Sequence, residues 1–270
     1  MSQSADFTAN IERFSGFAGL YNTFRPQPPP VLLDLLTQAA QITMPNLLVD
    51  LGCGTGLSTR FWAERAKQII GIEPTDDMRQ QAAEQTGAAN ITYQSGFSHQ
   101  TGLSNACADI VTCSQALHWM APQPTFEEAA RILRPGGVFV AYDCDWPPTT
   151  SHWEAETAYR AFIDGVHQIE QANNLSEGLQ KWAKEEHLSR MQASGCFRYT
   201  KELGVHHWEK GNAERLIGLA LSQGGVATVL KHGFNESDIG LNELKAVLNR
   251  TLGDEQKPWC WSYKVRVGIV

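Results

Sequence analysis

The sequence predicts an α/β protein built on a doubly wound sheet, and three observations carry that expectation. Apolar runs of strand length alternate with helical patterns from Leu47 to Tyr142, the order that buries a parallel sheet between two layers of helices. The first run, Leu47 to Leu51, stops in Gly52-Cys53-Gly54-Thr55-Gly56, a glycine turn that opens a helix. The second, Ile69 to Ile72, ends in an acid, Glu73.

Residues 1–44 read as an N-terminal lid segment. A polar start leads through Phe14 to Pro26 into a stiff turn at prolines 26 to 30 and a helix from Pro30 to Ala40. Residues 45–145 read as a cofactor-binding core. Its strands are Leu47–Leu51, Ile69–Glu73, Ile91–Gln94, Asp109–Ser114 and Val138–Tyr142, and its helices Ser58–Ala66, Asp76–Gln85 and Pro124–Leu133. Thr75 is placed to cap the second helix, with Asp76 and Asp77 in the first turn where they suit the dipole. Residues 146–196 read as a helical insertion, with helices over Trp153–Asn173 and Glu177–Ser194, a common place for substrate-binding lids. Residues 197–270 complete the sheet with alternating strands Phe197–Trp208 and Trp259–Ile269. Between them lie helices Asn212–Leu221, broken by Gly224-Gly225, and Glu236–Thr251. Lys264 and Arg266, two positions apart, read as one polar strand face.

Glycines at 52, 54 and 56 let backbone approach a ligand and adopt positive φ, and the following helix offers unpaired N–H groups. Nicotinamide and flavin enzymes use a similar turn. Their spacing is G-x-G-x-x-G, around a pyrophosphate, whereas here it is G-x-G-x-G with Asp50 two residues ahead. A carboxylate there repels phosphate and suits an ammonium group. Glu73, 17 residues after Gly56, is placed to accept both ribose hydroxyls. One acid for an amino group and one for a ribose imply S-adenosylmethionine.

Through Val49 to Gly56, Gly71-Ile72-Glu73-Pro74 with Met78, Ala116-Leu117-His118-Trp119 and Arg131 to Gly137, the chain resembles the class I S-adenosylmethionine-dependent methyltransferases, specifically the small-molecule group that includes trans-aconitate methyltransferase. The resemblance covers roughly residues 15 to 145 and the closing strand. It implies a Rossmann-like sheet of seven strands, the last inserted antiparallel between the fifth and sixth. It further implies that Tyr21 and Arg25 lie over the cofactor near its methionine carboxylate, with Thr55, Pro74 and Met78 also at the cofactor. The loop Ser95 to His99, with Gly96 and Phe97, falls where relatives hold adenine. It has no acid, so a backbone carbonyl with Ser95 or Ser98, or apolar contact with Phe97, is left for that task; His99 reads as a solvated loop residue. Ser114 and Gln115, beyond the fourth strand, would touch the methionyl part. His118 and Trp119 would face the methyl or support the pocket, and the loop Asp145 to Pro148 puts Trp146 at its rim.

The resemblance makes a carboxylate oxygen of a small molecule the first acceptor to consider, and a carboxylate needs no general base. A hydroxyl acceptor would need one, for which His118 is the candidate. Two other readings stand beside these, a non-catalytic S-adenosylmethionine-binding protein and a nicotinamide oxidoreductase.

The formal net charge is −7, without a lysine or arginine cluster, which speaks against nucleic acid as partner. No apolar run approaches the length of a membrane span and the start lacks an apolar signal core, so a soluble, cytoplasmic chain is expected. Six scattered cysteines without a C-x-x-C pair read as reduced thiols, and no metal is implied. Nothing in the sequence sets the oligomeric state.

Overall fold

The computed structural model describes residues 6–14 and 18–270, so Ser15 to Phe17 of the N-terminal segment lie outside the described residues. Strands β1 (Leu47–Leu51), β2 (Gln68–Ile72), β3 (Ile91–Gln94), β4 (Ala108–Ser114), β5 (Leu133–Cys144), β6 (Tyr199–Gly211) and β7 (Lys257–Ile269) form one sheet in the order β3-β2-β1-β4-β5-β7-β6. The first five are parallel, and β7 runs antiparallel to both neighbours, β5 and β6. The sheet is therefore the Rossmann-like one expected, and its order reverses between β1 and β4, where ligands of open α/β sheets collect.

The helices are α1 (Thr8–Phe14), α2 (Ala18–Phe24), α3 (Val31–Ala39), α4 (Leu57–Phe61), α5 (Asp76–Glu84), α6 (Pro122–Ile132), α7 (Trp153–Ala172), α8 (His187–Ala193), α9 (Ala213–Leu221), α10 (Gly224–Lys231) and α11 (Leu241–Thr251). Alternation along the strands divides the core in two. Leu48, Ile110, Val138 and Val140 face a layer holding Leu36 of α3, Tyr159 of α7, Leu216 of α9 and Leu248 of α11. Val49, Val111 and Phe139 face Phe126 and Ala129 of α6 and Met191 of α8. Each fully buried Val, Leu, Ile, Phe or Met among them contributes ~1.5–3 kcal/mol, which anchors the insertion and the C-terminal helices on the sheet that bears the glycine turn.

Several elements differ from expectation for identifiable reasons. Helix α4 ends at Phe61 because Trp62, fully buried, turns its N–H to Thr59 O in a tighter turn. The helix expected from Glu177 begins only at His187. Asn174 and Gly178 hold positive φ, and the Asn10 side chain bonds both Gln180 N and Gln180 O, pinning that stretch to α1 as irregular chain. Gly224 and Gly225 do follow the end of α9, yet they open α10. A Cβ on Gly225 would lie 2.6 Å from Glu170 Oε2, so α7 and α10 meet where only glycine fits. Helix α11 starts at Leu241, after Gly240 at φ 75°. Thr75 makes no side-chain cap bond.

Arg266 is the largest correction on the closing strand. Lys264 is exposed, but Arg266 is 1% exposed and ion-paired with Asp143 (3.0 Å) and Glu202 (2.9 Å). Among the described residues, no helix is long and apolar enough to cross a membrane.

Candidate active site

The glycine elbow between β1 and α4 places a positive φ at every second residue: Gly52, Gly54 and Gly56 have φ of 63°, 53° and 78°. Gly52 N and Cys53 N both donate to Ile72 O, binding the elbow to the end of β2 (2.8 and 3.2 Å). A Cβ on Gly52 would meet Met120 Cε at 2.5 Å, and one on Gly56 would run into the Tyr93 hydroxyl. A Cβ on Gly54 would meet nothing within 4 Å, although this glycine lines the cavity above the elbow. Packing explains the first two glycines, and open cavity space sits over the third.

That cavity is lined by Gly52, Gly54, Glu73, Pro74, Met78, Gly96, Phe97, Ser114 and Gln115, together with Tyr21 and Trp119. Glu73 is 8% exposed. Its Oε2 accepts from Gly54 N at 3.1 Å and its Oε1 from Thr75 N at 3.0 Å, so both backbone bonds orient the carboxylate at the mouth of β2. Burial raises its pKa, and the bonds from Thr75 and Gly54 pull against that rise. Where an acid was missing beyond β3, the ring of Phe97 stacks on His99 (centroids 5.5 Å apart) and tilts against Phe7 (6.0 Å). Ser98 bonds Thr125 Oγ1 and lies on the cavity wall, and Ser95 lies off it. His99, expected to be a solvated loop residue, lines the cavity instead.

Asp50 departs from expectation. The carboxylate meant for an ammonium group is 0% exposed and turned into the protein, where Oδ2 accepts from Ser58 Oγ (2.6 Å) and Thr59 Oγ1 (2.7 Å) and Oδ1 from Thr112 Oγ1 (2.7 Å). It lines no cavity wall. It ties the first turn of α4 to β1 and β4. Burial pushes its pKa up, with the three hydroxyl bonds opposing. Thr55 is also turned away, donating to Asn22 Oδ1 of α2 at 2.6 Å, and Gly56 lies beneath the cavity as the α4 N-cap.

Arg25 sits in the wall between a small cavity over the elbow and a larger one of about 290 Å³ below α7 and α10. It bonds Ser222 Oγ, Ser222 O and Gln223 Oε1, with Tyr21 and Trp146 rings 4.5 and 4.6 Å from the guanidinium. Trp146 packs edge-on against Trp261. The larger cavity shares Tyr21, Gln115 and Trp119 with the first, and His118 lines it. Gln115 is held at φ 54° at the end of β4, an uncommon conformation for a residue with a side chain. His118 is 7% exposed, with Nδ1 3.7 Å from Asp143 Oδ1. Burial, then the charges of Lys184 and Lys181, holds its pKa well below the usual histidine value, which keeps the imidazole neutral.

Sequence reasoning missed Phe7, just before α1, and Asn10 and Ile11 of α1 on the first cavity, and Arg13, Lys181 and Lys184 on the second. No periodicity marks them, because they come from two short segments brought over the sheet by packing.

Residues 49–141 match the family described as methyltransferase domain. This stretch is similar to a methyltransferase domain. The chain is 34% identical over 127 residues to an uncharacterized methyltransferase of Mycobacterium tuberculosis, covering 46% of this chain and 49% of that one. It is 28% identical over 144 residues to a probable S-adenosylmethionine-dependent methyltransferase of Saccharomyces cerevisiae, covering 52% and 49%. The chain thus spans about half the length of these curated relatives. A "putative type II methyltransferase" structure from Anaeromyxobacter dehalogenans superposes with a TM-score of 0.63 at 21% identity, over 92% of this chain and 98% of that one, a likeness of fold.

Proposed function

We propose that the methyltransferase domain uses S-adenosylmethionine and delivers the methyl group to a small-molecule acceptor in the larger cavity, with a carboxylate oxygen as the receiving atom. The observation that carries this reading is the shared wall. Tyr21, Gln115 and Trp119 belong to both cavities, so two ligands seated in them meet there. The residues fit the cofactor: an oriented acid at the end of β2, open space over Gly54, apolar Met78 and Phe97 for a base, and Arg25 above the elbow for a carboxylate. Asp50 stands behind that site as its brace.

When bound, the cofactor supplies a sulfonium methyl, which an oxygen lone pair takes while the carbon–sulfur electron pair leaves with sulfur. The protein's part is to align the partners and exclude water. Alignment of this kind is worth ~7–11 kcal/mol in favourable cases. A carboxylate acceptor is already ionised near neutral pH and asks for no base.

A second reading has one observation in its favour: Asp143 beside His118 Nδ1 could orient the ring as base for a hydroxyl acceptor. Turnover of His118→Ala separates the two. The carboxylate scheme expects a loss of less than about tenfold with cofactor affinity intact, whereas a base contributes ~10²–10⁴-fold. Near-total loss would favour the hydroxyl scheme.

A further inference from the structure

Strand β6 is the outermost of the sheet, with β7 as its neighbour on the inner side. At 13 residues it is long beside the about five or six typical of a strand. Its pairing with β7 keeps one register from Tyr199 opposite Ile269 to Gly211 opposite Lys257, without a bulge, and it holds no proline. Shortness, bulges and prolines are what usually stop an edge from pairing again, and β6 has none of them. Its middle, Leu203 to Trp208, carries no Lys, Arg, Asp or Glu. Trp208 is 59% exposed, and a Cβ on Gly204 would meet nothing within 4 Å.

The backbone of β7 shows which groups of β6 are free. On the side away from β6, Asp145 N–H donates to Ser262 O, Thr149 N–H to Cys260 O and Cys260 N–H to Thr149 O. Even residues of β7 thus turn their backbone groups away from β6, and by alternation the odd residues of β6 bond β7. Gly204, His206 and Trp208 then direct N–H and C=O to the open edge, and all three are exposed. Among the described residues, no backbone group outside β7 bonds them. Arg215 takes the Lys210 carbonyl and ends the free stretch.

We propose that this edge joins two copies of the chain, pairing β6 antiparallel with β6 about a twofold axis at His206. A twofold contact uses the same surface on both copies, and the order of residues along β6 is complementary to itself. Gly204 falls opposite the second copy's Trp208, whose indole covers the open glycine, a pairing that suits an edge glycine. Glu202 falls opposite the second copy's Lys210, and opposite charges across a ladder stabilise it. Lys210 is exposed, and Arg266 takes Oε2 of Glu202, leaving Oε1 for that lysine. Each of these pairs occurs twice. Centred one residue earlier, on Val205, the same pairing sets Glu202 against Trp208 and Lys210 against Thr200, and both complementary pairs are lost.

The test is sedimentation velocity of the full chain at about 1–100 µM, where a monomer–dimer equilibrium is expected. His206→Pro removes the N–H at the axis and leaves the bonds to β7 in place, and Trp208→Lys takes the indole off the glycine. Each is expected to weaken the dimer about tenfold or more, with the thermal midpoint and the binding of S-adenosylhomocysteine retained. Cysteine cross-linking with copper phenanthroline, in a Cys260→Ser background, reads the register. His206→Cys is expected to link the two copies, since opposite Cα atoms of a hydrogen-bonded pair lie ~5.5 Å apart, within disulfide reach. Tyr199→Cys, beyond the paired stretch, is expected not to link. A chain that stays monomeric over this range overturns the proposal. So does a dimer that both variants leave intact, or one that links through Tyr199→Cys and not through His206→Cys.

Discussion

At the scale of single residues, the two acids that the sequence singled out separate into different tasks. Glu73 is oriented toward the cavity by two backbone N–H groups, and its removal is expected to weaken cofactor binding by ~1.5–3 kcal/mol, the worth of hydrogen bonds to a charged group. Titration calorimetry on Glu73→Ala checks this, and unchanged affinity would remove its ribose role. Because burial raises the Glu73 pKa, affinity should also fall on acidification at a pH above that of an ordinary glutamate. Asp50 faces three hydroxyls that all donate to it. Asp50→Asn sets an amide N–H₂ against one of them and should cost ~1–3 kcal/mol of stability, read as a lower urea midpoint. The residue pattern told that an acid stood before the glycines. It could not tell that Ser58, Thr59 and Thr112 would claim it, because Thr112 arrives from β4, 62 positions away.

At the scale of elements, the elbow is the part most fully readable, since its three glycines each answer a local backbone demand. Gly56→Ala combines a strained positive φ with a collision at Tyr93, and should destabilise the fold by more than the ~0.4–1 kcal/mol that the same replacement gains where alanine fits the backbone. Thermal unfolding would show it as a lowered midpoint. The strands β1 to β5 and the antiparallel β7 were equally legible, because buried parallel strands are short apolar runs and alternation marks the rest. The chain from Asn174 to Glu186 was not. Positive φ at Asn174 and Gly178, the bonds from Asn10 of α1 and the Trp182 N–H donated to His118 O hold it irregular. Tertiary contact overrides propensity there, and that stretch supplies Lys181 and Lys184 to the site.

At the scale of the molecule, buried charge ties the site to stability. His187 is fully buried, and burial above all lowers its pKa from 6.5 to about 4. A histidine kept neutral by the fold contributes stability at pH above its unfolded value, and that contribution is lost as pH falls from 6.5 through about 4. The urea midpoint should therefore decline across that window, and less so in His187→Phe. The same sign holds for His118. Overall charge was legible from composition, but its distribution was not: an acidic chain gathers four cations around one cavity, which only the packing of α1, α2 and the stretch before α8 brings about.

The central claim is that a sulfonium methyl passes from the cavity over the elbow to an acid in the cavity beside it. Incubation of the full chain with methyl-labelled S-adenosylmethionine and glutarate, followed by mild base, tests it most directly. Label released by base as volatile methanol is the result expected of a methyl ester. Label that stays base-stable, or fails to transfer while the cofactor binds, would contradict the account.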